Sequence, residues 1–150
     1  MADDQEDQDL EAIKPKPMAM VAGAGLALVG AFTLLLGAQT YSVVRVTPLT
    51  VTVCVLMILL GAGSLGCGMY TARMRGWAAL GGAIIGGLVF LLGGVWFLFA
   101  LLNGLVSLLA LAVPPAGLAA GVLSAINVGD GRKADAARSR LRESGLEAGV

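Results

Sequence analysis

The sequence predicts an all-α membrane protein: a four-transmembrane-helix bundle with both termini in the cytoplasm and a fourth helix kinked at Pro114-Pro115. Three observations carry that prediction. Apolar stretches at about residues 18–38, 49–70, 77–102 and 105–128 each reach the roughly 20 residues a helix needs to cross the hydrocarbon of a bilayer. Between residues 18 and 128 there is no Asp, Glu, Lys or His. Counting along four spans, nine basic residues fall on one side of the implied bilayer and only Arg45 on the other, the bias that marks the cytoplasmic face.

With 57% hydrophobic and 13% charged residues, the 150-residue chain lies outside the ordinary soluble class. It divides into an acidic N-terminal tail (1–17), the membrane domain (18–128) and a polar, basic C-terminal tail (129–150). The first tail holds six acids and no aromatic residue, so it is expected to be disordered. Lys14 and Lys16 close it and anchor the first span on the cytoplasmic side. An acidic start and so long an apolar run fit an uncleaved anchor better than a signal peptide.

In the first span Gly23, Gly30 and Gly37 recur every seven residues, a small-residue stripe suited to close helix contact. A short polar connection with Tyr41 leads to Pro48, which opens the second span. That span ends in Gly61, Gly63 and Gly66, a formal GxGxxG. The dinucleotide fingerprint also needs a βαβ unit and an acid about 20 residues on, and the next acid is Asp130, so no cofactor is expected. Cys54 and Cys67 lie thirteen residues apart in the same helix, about 20 Å, too far for a mutual disulfide.

Residues 71–76 (TARMRG) form a tight connection carrying Arg73 and Arg75, with Trp77 at headgroup depth. The third span is the most glycine-rich. Gly82, Gly86 and Gly93 fall within about 40° of one another at ~100° per residue, and 82–86 is a GxxxG, a face that admits a second backbone. Asn103-Gly104 is a turn dipeptide, so spans three and four form a tight hairpin. Pro114 and Pro115 then interrupt the hydrogen bonding of span four. In the last tail Arg132 and Lys133 are further topology anchors. Four acids dilute its five basic residues, so nucleic-acid binding is not expected.

Chemistry is sparse. Without histidine there is no Ser-His or metal-His site, and none of the intramembrane hydroxyls or thiols has a base beside it. Proteolipid rotors and small multidrug exporters depend on an intramembrane carboxylate, and ion coupling in general resides in such groups; this chain has none. The expected function is therefore non-enzymatic, with no metal or cofactor. It acts through helix–helix association, with membrane lipid around it and either other membrane subunits or a homo-oligomer as partner. An oligomeric pore or carrier for a neutral solute is the alternative. Seven Arg against three Lys, with abundant Ala, Gly, Val and Leu, point to a bacterial inner membrane.

Overall fold

The computed structural model describes residues 2–43, 47–104 and 107–143. Its regular structure is helical: α1 (Ala2–Ala12), α2 (Pro17–Val43), α3 (Pro48–Ala72), α4 (Gly76–Leu102) and α5 (Leu108–Glu143). Helices α2 to α5 are each long and apolar enough to cross a membrane, and the chain is an integral membrane protein. Many of its large side chains point outward. Leu59, Leu91, Val95 and Ile126 are more than half exposed, while Ala, Gly and Ser fill many of the inner positions. Lipid, rather than water, suits such an exterior.

Prolines and small polar residues set the helix starts. Pro17 opens α2, and Pro48 occupies the first turn of α3, where a missing N–H costs nothing. Thr47 caps α3, its hydroxyl accepting from the Thr50 N–H at 3.2 Å. Helix α2 runs on to Val43, past the expected end near residue 38, and Thr40 donates to the Leu36 carbonyl within it. At the end of α4 the chain turns through Gly104 at φ 68°. Residues 105–106 and Arg45 lie outside the described residues.

The bundle is two tight hairpins set side by side. Helix α2 packs most closely on α3 and α4 on α5; α2 also meets α5, α3 meets α4, and the diagonal pairs barely touch. Glycine makes each hairpin tight. A Cβ placed on Gly23 would lie 2.6 Å from the Gly68 carbonyl oxygen, and one on Gly68 equally close to that of Gly23. One turn of the seven-residue repeat further, Gly30 and Gly61 oppose each other in the same way, at 2.6 and 2.9 Å. In the second hairpin a Cβ on Gly86 would lie 2.6 Å from the Gly121 Cα, and Gly93 receives the Pro114 ring at 3.2 Å. Between hairpins, side chains meet instead: Ile85 covers Gly63 and Cys67 covers Gly81. At the centre Leu26 inserts where a Gly82 Cβ would be, and Ser64 donates to the Leu26 carbonyl at 2.7 Å.

At both ends of the chain helix extends beyond the expected spans. Residues 2–12 of the tail expected to be disordered form α1. Composition offers this segment no core of its own, but it lies along α5, where Asp9 pairs with Arg140 at 3.3 Å. The C-terminal tail is not separate from span four either. Helix α5 continues through Gly129, Asp130 and Gly131 to Glu143. It does so because that extension is docked: Gly131 abuts Gly76, and Ala134 and Ala137 are buried.

Candidate functional site

Among the described residues the long-range ion pairs collect at one end of the bundle, around the α3–α4 turn. Arg73 ends α3, Met74 adopts a left-handed φ of 56°, and Arg75 precedes α4 without capping it through its own side chain. A left-handed backbone costs a non-glycine residue roughly 1–2 kcal/mol. Here the Met74 side chain is 2% exposed, packed with Ala19, Ala134 and Ile13, so burial holds the turn in that conformation.

The α5 extension clamps both helix ends. Asp135 Oδ2 accepts from the Gly76 N–H at 2.8 Å, which caps α4 from a distance of 59 residues and places a carboxylate at its positive pole. One turn on, Arg138 donates to the carbonyls of Met74 at 3.0 Å and Arg73 at 2.7 Å, a cation on the exposed carbonyls where α3 ends. Arg138 also pairs with Asp135 at 3.1 Å, and Arg75 approaches the same carboxylate at 3.7 Å. Burial and the neighbouring Arg75 cation push the Arg138 guanidinium below its ordinary value, and Asp135 opposes them. Lys16 reaches Asp130 at 2.9 Å and holds its carboxyl below the usual carboxylate range.

Beside the clamp lies an open cleft of about 880 Å³ between the N-terminal segment and the α3–α4 turn. Arg73, Arg75, Arg138 and Lys14 line it, against Asp7 and Glu11, with Tyr70 at one edge and Leu10, Ile13 and Pro15 on the apolar side. The Tyr70 and Trp77 rings pack with centroids 5.2 Å apart.

The residues singled out from sequence divide into three groups. Lys14, Lys16, Arg73, Arg75, Arg132 and Lys133 all gather at this polar end, through the cleft, the Lys16–Asp130 pair, the packing of Arg132 on Gly76 and the influence of Lys133 on Asp130. Gly23, Gly30 and Gly37 face α3, while Gly86 and Gly93 face α5 and Gly82 lies beneath Leu26 with Ser124 beside it. All six therefore lie on contacts within this chain. Pro114 and Pro115 sit inside α5, where their missing N–H groups release the carbonyls of Ala110 and Leu111. The glycines of 61–66 are mid-helix in α3, with Gly61 against Gly30 and Leu34.

Sequence reasoning missed Met74, Asp135, Arg138 and Asp9. A signal existed for two of them. Ala134, Ala137 and Leu141 repeat at helical spacing beside Asp135 and Arg138, a narrow small-residue face that implies docking. Thr71 Oγ1 and Ser124 Oγ are buried without a hydrogen-bond partner among the described residues. In comparisons with known proteins, the chain matches no family model, no curated protein and no solved structure.

Proposed function

We propose that this chain is a non-enzymatic protein of the bacterial inner membrane that works by associating with other membrane subunits or with copies of itself, both termini facing the cytoplasm. The glycine faces first expected to mediate association are occupied within the chain, so the reading rests on those left over. Gly87 and Gly94, seven residues apart on α4, have no atom within 4 Å of the place a Cβ would take. A helix interior gives up about 1 kcal/mol for each glycine in place of alanine, and these two return nothing to the packing of their own bundle. They leave a shallow groove on the outer side of α4, the geometry by which a further helix backbone approaches in lipid. The orientation follows from the basic residues at the polar end, and Pro114-Pro115 bends α5 near its start, at the opposite end of the bundle.

Native mass spectrometry of the protein extracted in mild detergent tests this reading. Foreign subunits or a homo-oligomer, lost on Gly87→Leu with Gly94→Leu, are expected. A wild-type protein running as a lone 15.2 kDa chain would remove it. A closed homo-oligomer that leaks neutral solute from liposomes would favour a pore between copies. The core of one bundle is filled by Leu26, Met57, Val89 and Val113.

A further inference from the structure

The cleft beside the α3–α4 turn carries an inference independent of association. Three guanidinium groups and Lys14 line it against the two carboxylates of Asp7 and Glu11, an excess of cations, and Arg75 and Arg138 also share Asp135. The Arg73 side chain, exposed and lining the cleft, makes no hydrogen bond or ion pair among the described residues, although its backbone carbonyl is held by Arg138. Arg138 spends three of its five N–H donors on Asp135 and the two turn carbonyls. Those bonds fix its plane and leave two donors.

An arginine pair with unspent donors, one of them rigid, matches the oxygens of a phosphate in bidentate fashion. The setting narrows the source. Tyr70 and Trp77 put the cleft at headgroup depth, and Leu10, Ile13 and Pro15 give it an apolar side that a free anion would not use. Basic pockets at the cytoplasmic edge of helix bundles take lipid headgroups in this manner. We propose that the cleft binds the phosphate of an anionic lipid, with Arg73 and the two free donors of Arg138 on the phosphate oxygens, Arg75 beside them, and the glycerol end of the lipid against Ile13 and Pro15.

The test uses the full chain in detergent micelles, titrated with phosphatidylglycerol or phosphatidylcholine and read by native mass spectrometry. Arg73→Gln is the informative variant, because that side chain supports no helix end. Wild type should retain phosphatidylglycerol in preference to phosphatidylcholine, and Arg73→Gln should weaken that binding about tenfold, the scale of one lost charge-assisted contact. Arg132→Gln, a basic residue outside the cleft, should leave it unchanged. Equal retention of the two lipids overturns the proposal. So does an Arg73→Gln variant with wild-type selectivity, or an Arg132→Gln variant as weak as Arg73→Gln. Displacement of the lipid by millimolar inorganic phosphate would keep the anion site and overturn lipid as its source.

Discussion

The Ser64 hydroxyl donates to the Leu26 carbonyl at 2.7 Å, across the interface of α3 and α2 and with no measurable exposure at either residue. The same Leu26 presses its side chain onto Gly82 of the other hairpin. One residue thus receives a hydrogen bond from its own hairpin and packs into the next. Interhelical bonds of this kind contribute about 0.6–2 kcal/mol in membrane proteins. Ser64→Ala is therefore expected to lower stability by about 1 kcal/mol, read as the midpoint of reversible unfolding in mixed micelles. An unchanged midpoint would mean that the bond only replaces one made elsewhere.

Glycines on the same helix should respond very differently to alanine. At Gly86 the added methyl meets backbone atoms of Gly121 and Gly117 at 2.6–2.8 Å, which cannot yield without parting the hairpin. At Gly82 it meets first the far end of Leu26, which can rotate away. Gly87 meets nothing within 4 Å. The expected order of destabilisation is Gly86→Ala, then Gly82→Ala, with Gly87→Ala stabilising the isolated chain by up to about 1 kcal/mol. For Gly86→Ala the cost is about 3 kcal/mol or more. Unfolding midpoints of the three variants check this ranking.

Met74 separates backbone strain from burial. Truncation to alanine empties a buried site at a cost of about 2–5 kcal/mol and leaves the left-handed φ. Truncation to glycine empties the same site but removes the backbone strain of roughly 1 kcal/mol or more. Met74→Gly should accordingly be the more stable of the two variants, although it is the smaller residue. The reverse order would show that the turn relaxes when its anchor is lost.

Removing the Asp135 carboxylate deprives the Gly76 N–H of its cap and leaves Arg75 and Arg138 without a counter-charge. Asp135→Ala should cost about 1–2 kcal/mol through the cap alone. Asp135→Asn, which keeps an acceptor at that position, should cost less. Hydrogen exchange at Gly76 is the direct readout, with faster exchange in the alanine variant.

The Lys16–Asp130 pair gives a sign for acid sensitivity. Asp130 has a folded pKa below its unfolded value, because Lys16 hydrogen-bonds the charged form. Its contribution to stability is full above the ordinary carboxylate range and is lost as pH falls through the depressed value. Both side chains are substantially exposed, so the effect is small. Lys16→Met should lower stability slightly near neutrality, where the pair contributes in full, and converge with wild type at acid pH, so that its profile is flatter, as thermal midpoints across a pH series would reveal.

The membrane helices were legible because lipid demands a crude signal: some twenty apolar residues without charge, delimited by Pro48, the arginines of the TARMRG turn and Asn103-Gly104. Their packing was half legible. Gly23, Gly30, Gly82 and Gly86 announced a close backbone approach, but a face does not name its partner, and Gly86 finds Gly121 only because the hairpin folds back. Helix α1 was not legible as ordered structure, and of the α5 extension only the helical spacing of Ala134, Ala137 and Leu141 gave a sign. Each is too polar to justify itself, and Asp9 with Arg140 stabilises them only jointly. The Asp135 cap of Gly76 spans 59 residues, beyond any local pattern. Met74 at φ 56° sits where a glycine is ordinarily expected.

That long-range clamp sets a timetable for biosynthesis. The hairpin of α2 and α3 is complete once Ala72 has emerged, whereas the groups that hold the ends of α3 and α4 reside at Asp135 and Arg138. At about 5–20 residues per second, the translating ribosome needs several seconds more to supply them. Throughout that interval the Met74 turn stands at the bilayer surface with its cap unmade and its anchor pocket incomplete. The nascent protein is finished from its far end, and a chain truncated before Asp135 would keep four spans while lacking the clasp that joins the ends of α3 and α4.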